Sequence, residues 1–159
     1  MKTSHKILLD VKKSGVIEHN PGLCRGCKIC EVVCSAYHEG VCSSYLSRIH
    51  IVSEDLDLNF PAQICHQCDY PSCYFACPLR DKALCIDNAT GVRYINEDKC
   101  TGCGICAKAC PFPDKPIWEK KVGEQVKFFK CDLCKDRDRG PLCVEVCPRN
   151  ALTFVEIAK

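Results

Sequence analysis

Short stretches in which apolar and polar residues alternate recur along the chain, and turn-forming residues separate several of them. An alternation with a period of two is typical of half-buried β-strands. Two such stretches flank the turn at residues 88–91, and two more flank Gly123, so each pair predicts an antiparallel hairpin. The pattern predicts strands at residues 7–11, 16–19, 48–52, 56–64, 83–87, 92–96, 117–121, 125–129 and 151–157.

Helical segments are predicted to be short. The chain contains no long amphipathic helix and no disordered linker, and its best helical candidates lie beside cysteines at residues 29–38, 72–76, 105–109 and 142–146. We expect residues 16–19 to pair with 151–157 and residues 48–52 to form a hairpin with 56–64. Short helices together with small antiparallel sheets indicate an α+β fold.

Ordinary core residues are scarce for a chain of this length. Leu, Ile, Val and Phe make up 40 of the 159 residues, about 25%, and the hydrophobic fraction of 47% includes 18 cysteines. A chain of 159 residues normally forms one domain with a substantial hydrophobic core. We therefore expect the cysteines to supply part of the cohesion, either through cross-links or through bound metal.

Composition and charge exclude several classes of protein. No run of 18 apolar residues occurs, so we expect no membrane span. Residues 1–16 contain neither an apolar export segment nor paired arginines, which predicts a cytoplasmic protein. A net charge of +2 is too small to indicate nucleic-acid binding. Because cytosolic thiols stay reduced, the cysteines are predicted to bind metal rather than to form disulfides.

Sixteen of the 18 cysteines fall into four groups of four. The first and third groups have the spacing C-x2-C-x2-C-x3-C, the second has C-x2-C-x4-C-x3-C, and the fourth has C-x2-C-x8-C-x3-C. In chain order, the groups are Cys24, Cys27, Cys30 and Cys34; Cys65, Cys68, Cys73 and Cys77; Cys100, Cys103, Cys106 and Cys110; and Cys131, Cys134, Cys143 and Cys147. A proline follows the last cysteine of groups two, three and four, and Ser35 takes that place in group one.

The spacing of the first and third groups is a signature of [4Fe–4S] binding in bacterial two-cluster ferredoxins. A cubane cluster takes one thiolate at each of its four iron corners. Gly26, Gly102 and Gly104 suit the loop that carries the first three cysteines, because glycine adopts positive φ and lets the backbone approach inorganic sulfide. The fourth cysteine lies one helical turn further on and is expected to reach the neighbouring cluster, and the proline then ends the helix.

Zinc sites and disulfides are the alternative interpretations. A zinc ribbon uses paired C-x2-C units around one tetrahedral ion and has no use for a third and a fourth cysteine at this spacing. Four groups, three of them followed by proline, favour iron–sulfur clusters over both alternatives.

Three local motifs carry a resemblance to a known family. They are Cys65-His66-Gln67-Cys68-Asp69-Tyr70-Pro71-Ser72-Cys73, Cys100-Thr101-Gly102-Cys103-Gly104-Ile105-Cys106, and Lys130-Cys131-Asp132-Leu133-Cys134 with Arg137, Gly140 and Cys143. With these motifs the chain resembles the four-cluster ferredoxin-type electron-transfer subunits of molybdenum and tungsten oxidoreductases and of some hydrogenases. The resemblance extends from Cys24 to Leu152 and implies tandem ferredoxin-like modules around four [4Fe–4S] clusters.

The resemblance also implies which cysteines share a cluster. Groups one and four would build a first module from residues 1–42 and 126–159, and groups two and three would build a second module from residues 43–125. Four ligand sets follow: site 1 with Cys24, Cys27, Cys30 and Cys147; site 2 with Cys131, Cys134, Cys143 and Cys34; site 3 with Cys65, Cys68, Cys73 and Cys110; and site 4 with Cys100, Cys103, Cys106 and Cys77.

The partners are likewise implied by the resemblance. The chain is short for this family and shows no C-terminal membrane helix, so it is most similar to the small polyferredoxin subunits of tungsten aldehyde:ferredoxin oxidoreductase-family complexes, including relatives that act on aromatic acid derivatives. The resemblance therefore implies a non-catalytic subunit of an anaerobic, cytoplasmic complex. Its partner would be a larger tungsten or molybdenum catalytic subunit, with a flavin/NAD subunit or ferredoxin as the further redox partner. Copies of the chain would also associate with one another into longer electron-transfer chains. The alternatives are an iron–sulfur subunit of a formate dehydrogenase or hydrogenase complex, and a free polyferredoxin.

The two cysteines outside the groups, Cys42 and Cys85, are predicted to be small buried apolar residues, with a spare ligand or a redox thiol as the alternative. Each oxidised cluster with four thiolates carries a charge of about −2, so four clusters would change the net charge from +2 to about −6. We expect metal to be required for folding, because the 16 predicted ligands have no other means of burial.

Overall fold

A computed structural model describes residues 13–53 and 58–156. The strands are β1 (Val16–His19), β2 (Ile49–Ile51), β3 (Ala62–Ile64), β4 (Leu84–Ile86), β5 (Arg93–Ile95), β6 (Trp118–Val122), β7 (Gln125–Phe129) and β8 (Leu152–Val155). The helices are α1 (Ile29–Glu39), α2 (Ser72–Ala76), α3 (Ile105–Ala109) and α4 (Leu142–Glu145), with single 3₁₀ turns at Ser44–Leu46 and Glu97–Lys99. The elements are short, as the sequence predicts, and they form an α+β fold.

All eight strands pair as four two-stranded antiparallel sheets: β1 with β8, β2 with β3, β4 with β5, and β6 with β7. The sheet of β1 and β8 brings the two ends of the described chain together, with Val16 opposite Val155 and His19 opposite Leu152. These four pairings confirm the predicted hairpins and the predicted contact between the chain ends. The strand predicted at residues 7–11 lies outside the described residues.

The strand predicted at residues 56–64 is wrong over residues 58–61, and residues 56 and 57 lie outside the described residues. Within the described part of that range, the strand begins only at Ala62. Leu58 has a φ of 49°, which is incompatible with extended backbone. Pro61 has no N–H to donate, although its carbonyl oxygen accepts a hydrogen bond from the N–H of Val52 at 2.9 Å. Alternation alone did not reveal this local twist of the backbone.

The four predicted helices are confirmed to within one residue at their ends. α1 extends to Glu39 and ends at Gly40, whose φ of 71° turns the chain away while its N–H donates to Ala36 O at 3.1 Å. α2 and α4 each follow directly after a proline, Pro71 and Pro141, which suits a helix start because proline lacks the N–H that a first turn leaves unpaired. α4 is one residue shorter than predicted.

Two apolar clusters form the core, and cysteines belong to both. The larger cluster joins Ile17 of β1, Ile49 of β2, Ile64 of β3 and Leu152 of β8 with cysteines of groups one, two and four. In the smaller cluster, Leu84, Ile117 and Phe128 surround Cys106. α1 packs against α4, and α2 packs against α3. The scarce aliphatic residues therefore surround the cysteines instead of forming a separate core.

Candidate metal centres

Four small cavities in the structure are each lined by four cysteines. One is lined by Cys24, Cys27, Cys30 and Cys147; a second by Cys34, Cys131, Cys134 and Cys143; a third by Cys65, Cys68, Cys73 and Cys110; and a fourth by Cys77, Cys100, Cys103 and Cys106. These are the four sets defined above as sites 1 to 4. The structure thus brings the members of each set together, and metal binding by each set stays a prediction.

Each helix, together with the residues that directly follow it, supplies cysteines to two sites. In α1, Cys30 lines site 1 and Cys34, one helical turn later, lines site 2. Cys143 in α4 lines site 2, and Cys147 just beyond it lines site 1, so the packing of α1 on α4 closes both cavities. α2 and α3 repeat this arrangement at sites 3 and 4. The exchange of the fourth cysteine between groups therefore follows from helical periodicity and helix packing.

Left-handed backbone in the loops lets three cysteines face one cavity. Gly26 has a φ of 66°, and a side chain at this position would meet the ring of Phe60 at 2.7 Å. Groups two and four adopt the same backbone region without glycine, at Gln67 (φ 48°) and Leu133 (φ 56°). The sequence signals the turn where glycine is present and carries no comparable signal at Gln67 or Leu133.

Substitution of Gly102 by Ala is expected to destabilise the protein and to lower its iron content. Gly102 has a φ of 74°, and an added Cβ would clash with the carbonyl oxygen of Val126. The left-handed region costs alanine about 1–2 kcal/mol, and the clash adds about 1–3 kcal/mol. Anaerobic denaturant unfolding and iron analysis measure both effects.

The matched control is G123A. Gly123 has a φ of 61° but has open space around its Cβ position, so its substitution should incur only the backbone cost. Equal destabilisation by the two substitutions would contradict a steric role for Gly102 beside Cys100 and Cys103.

Backbone N–H groups point at several of the cysteine sulfurs. Arg48 N lies 3.3 Å from Cys34 Sγ, and Ala151 N lies 3.3 Å from Cys147 Sγ. Gly102 N and Leu133 N lie 3.4 Å and 3.5 Å from the Sγ atoms of Cys100 and Cys131. Such donors stabilise sulfur in the thiolate form, which is the form that binds metal.

Burial works against thiolates that lack a metal. Loss of water raises the pKa of Cys30 and of Cys106 to about 12, and that of Cys73 and of Cys134 to about 11. Burial also raises the pKa of Cys131, and the neighbouring charge of Cys143 adds to this shift. All four cysteines of site 2 are buried, and each of the other sites combines buried with more exposed cysteines. Four thiolates in one cavity need a cationic partner, so these sulfur-only donor sets fit an iron–sulfur cluster.

A partly buried ionic network lies beside site 2, and sequence reasoning missed it. The guanidinium of Arg48 lies 2.6 Å from a carboxylate oxygen of Glu97, 3.3 Å from Asp132 and 3.5 Å from Glu39. It also donates to Nδ1 of His38 at 2.9 Å. The side chain of Arg48 is only 11% exposed. Its partners are up to 84 residues away in the chain, so no local pattern marks them.

The two remaining cysteines differ from each other. Cys85 lies buried in β4, which confirms the expected apolar position, and burial raises the pKa of its thiol. The prediction of a buried Cys42 is wrong, because Cys42 is exposed just after Gly40 ends α1. Neither residue lines one of the four cavities.

Substitution of Cys42 or Cys85 by serine is therefore expected to leave the iron content unchanged. The comparison variant is C143S, which alters one of the cysteines of site 2 and should lower the iron content. Iron and acid-labile sulfide analysis of the three variants measures the difference. Loss of about a quarter of the iron in C42S or C85S would identify a spare ligand.

Comparison with known proteins places the chain in a family. The 4Fe-4S dicluster domain family matches residues 56–157, which is more than half of the chain. The chain belongs to the 4Fe-4S dicluster domain family. This result, with the sulfur-only cavities, identifies an iron–sulfur protein and supports the iron–sulfur interpretation over the zinc alternative.

Three curated relatives cover most of the chain. The polyferredoxin-like subunit of an aliphatic sulfonate oxidoreductase from Pyrococcus furiosus is 42% identical over 80% of this chain and 68% of its own length. The putative electron transport protein YsaA of Escherichia coli is 33% identical over 86% of each chain. One of the chains of polysulfide reductase from Wolinella succinogenes is 31% identical over 92% of this chain and 78% of its own length.

A solved structure has a similar fold. A chain in the active site complex BamBC of benzoyl coenzyme A reductase, in a structure with zinc, superposes with a TM-score of 0.50 and 25% sequence identity. The match covers 91% of this chain and 80% of that chain. Within residues 13–53 and 58–156, no helix is both long enough and apolar enough to cross a membrane.

Proposed function

We propose that this protein is a non-catalytic electron-transfer subunit with one [4Fe–4S] cluster at each of sites 1 to 4. It relays electrons between a tungsten or molybdenum catalytic subunit and another redox subunit or carrier. The observation that carries the proposal is the set of four cavities, each lined by four cysteines drawn from two groups. Bound at these sites, each cluster would accept and release one electron.

The exposure of the cysteines supports an electron-transfer chain that exchanges electrons with partner proteins at two sites. Of the 16 grouped cysteines, only Cys27 at site 1 and Cys103 at site 4 are exposed. Beside Cys27 and Cys103, the apolar side chains of Ile29 and Ile105 are 40% and 41% exposed. We therefore assign sites 1 and 4 to exchange with partner proteins, and sites 2 and 3 to transfer inside the chain.

The two-module organisation remains part of the proposal. Residues 1–42 with 126–159 would carry sites 1 and 2, and residues 43–125 would carry sites 3 and 4. The packing of α1 on α4 and of α2 on α3 supports this division. The larger apolar cluster contains both Cys65 and Cys131, which supports close contact between the modules.

The relatives support the nature of the partner. The Pyrococcus furiosus relative is a polyferredoxin-like subunit of an oxidoreductase, and the structural relative comes from the active site complex of benzoyl coenzyme A reductase. We infer an anaerobic, cytoplasmic complex whose catalytic subunit is of the aldehyde oxidoreductase or aromatic acyl-CoA reductase type. An iron–sulfur subunit of a formate dehydrogenase or hydrogenase complex is the second candidate, because relatives of this chain also occur in other oxidoreductases, such as polysulfide reductase.

Metal analysis of the native complex, purified without oxygen at moderate salt, tests the proposal. We expect about 16 iron atoms per chain, stoichiometric co-elution with a larger subunit, and tungsten or molybdenum in that subunit. Nickel would instead indicate a hydrogenase. Elution of the chain alone would indicate a free polyferredoxin, and a colourless zinc protein would contradict the proposal altogether.

A further inference from the structure

Two cationic side chains are buried beside site 3. Lys130 and Arg93 are each 2% exposed, and both line the cavity formed by the cysteines of that site. Neither forms an ion pair with a carboxylate in the described part of the chain. A buried charge without a partner is costly, so these two positions require a source of negative charge nearby.

The hydrogen-bond partners of both cations are neutral. Nζ of Lys130 donates to the carbonyl oxygens of Arg93 and, at 3.1 Å, of Cys131. The guanidinium of Arg93 donates to Gly91 O at 2.7 Å and to Ser14 Oγ at 3.4 Å, and its Nε is buried without a hydrogen-bond partner in the described structure. These contacts orient the cations without neutralising them. The carboxylate of Asp69 is close enough for its charge to act on Arg93, but its ion pair is with Lys13.

Thiolates bound to a cluster at site 3 would supply the missing negative charge. Lys130 and Arg93 line the same cavity as Cys65, Cys68, Cys73 and Cys110. Lys130 also directly precedes Cys131 of site 2, to whose carbonyl oxygen its Nζ donates. A cation buried in this position is stabilised by the negative charge of the cluster ligands.

Gln67 holds this arrangement in place. Its side-chain oxygen accepts from Arg93 N at 2.8 Å, and its side-chain nitrogen donates to Cys131 O at 2.9 Å. Gln67 is itself buried and lies between Cys65 and Cys68 in the chain. The two cations are thus attached to the loop that carries the cysteines of site 3.

Among residues 13–53 and 58–156, the other three sites have no buried cation without an ion pair in their lining. Arg48 lines site 2, but carboxylates of three acidic residues surround it. Lys28 lines site 1 with a side chain that is 44% exposed, so water screens its charge. No charged side chain lines the cavity of site 4, and the nearby Lys127 is only partly buried while it donates to Cys100 O at 2.6 Å.

We propose that Lys130 and Arg93 give site 3 the highest reduction potential of the four sites. This inference rests on the cluster assignment of the proposed function. Reduction adds one negative charge to a site, and an uncompensated cation in a medium of low dielectric constant stabilises that charge more than a screened or paired cation does. Lys130 and Arg93 act on a cluster at site 3 only through their positive charges, and neither is a ligand of it.

Site 3 is then the place inside the chain that is reduced first, whichever end receives the electron. Lys130 also lies close to Cys131 of site 2, so its charge assists transfer across the junction between the two modules. Site 4, with no charge in its lining, is expected to be reduced at a lower potential. The protein would therefore hold one electron at site 3 between encounters with its partners.

A redox titration of the complete protein, followed by EPR, tests this order. In C68S, which changes one cysteine of site 3, the spectrum of the first signal to appear should change. In C103S, the equivalent change at site 4, that first signal should keep its spectrum and midpoint. A first signal that responds to C103S and not to C68S would overturn the proposal, and this comparison leaves Lys130 untouched.

The charge itself is tested with K130M, K130R and K127M. K130M should make reduction at the first signal less favourable by about tenfold, which corresponds to about 59 mV for a one-electron couple. K130R keeps the charge and should change the equilibrium constant for this reduction by less than about threefold. K127M removes a lysine that contacts the Cys100 carbonyl and should leave the first signal unchanged.

An unaltered first midpoint in K130M would overturn the role of the cation. Iron analysis of the same samples separates the two proposals. Fewer than 16 iron atoms in the wild-type protein contradicts the four-cluster function, whereas a full complement with another site reduced first contradicts only the inference about Lys130 and Arg93.

Discussion

Removal of iron from the purified protein is expected to abolish its cooperative fold. The four cavities replace much of the apolar core, and only 40 of 159 residues are Leu, Ile, Val or Phe. Without metal, the cysteines of each site would become neutral thiols around an unfilled space, and the two-stranded sheets are too small to be stable alone. Circular dichroism and denaturant unfolding of the apoprotein, prepared by chelation without oxygen, measure the loss.

Cys42 provides an internal control for that experiment. It lies outside the cavities and is exposed, so the C42S protein should lose its fold on chelation to the same extent as the wild-type protein. Reconstitution with iron and sulfide should restore the strand signal. An apoprotein that keeps its circular dichroism spectrum and a sharp unfolding transition would show that the polypeptide folds without clusters.

The second large effect is expected from substitution of Arg48 by methionine. Arg48 is partly buried among Glu39, Glu97 and Asp132. Its removal takes this cation from Asp132 and leaves Glu39 and Glu97 with Lys120 alone. Loss of one partner from a fully buried ion pair typically destabilises a protein by about 3–5 kcal/mol, and the partial exposure of this network lowers the expected loss to about 2–3 kcal/mol. Anaerobic denaturant unfolding with iron bound measures the change, and iron analysis shows whether site 2 remains filled.

K13M is the matched control for Arg48. Lys13 pairs with Asp69 at 2.8 Å, but both side chains are more than half exposed. An exposed pair contributes about 0–1 kcal/mol, so K13M should be nearly neutral. If R48M were as mild as K13M, then Lys120, which also contacts Glu39 and Glu97, would be sufficient to neutralise the network.

The cysteine pattern shows which structural features can be predicted from a short stretch of sequence. Cys30 and Cys34 are four residues apart, so a helix must direct them along one face, and the structure places them at two adjoining cavities. The hairpins around residues 88–91 and Gly123 are equally local, because alternation and turn residues specify them. The strand at 56–64 was predicted too long because alternation does not reveal the positive φ of Leu58.

The charged residues of the interior show which contacts cannot be predicted from short stretches of sequence. Arg48 and Asp132 are 84 residues apart, and Lys130 reaches the carbonyl of Arg93 across 37 residues. In the sequence, each of these residues resembles an ordinary surface charge. Their burial depends on how four small sheets and four helices pack around the cavities, and that packing is a property of the whole chain.

The sequence by itself determined the iron–sulfur chemistry, the short antiparallel sheets and the residues available as ligands, because these depend on spacing over a few residues. Only the tertiary structure decided that Cys42 is exposed, that Cys27 at site 1 and Cys103 at site 4 are exposed, and that Lys130 and Arg93 are buried beside site 3. Exposure and electrostatic environment are set by contacts between distant segments, and those contacts form only when the chain packs.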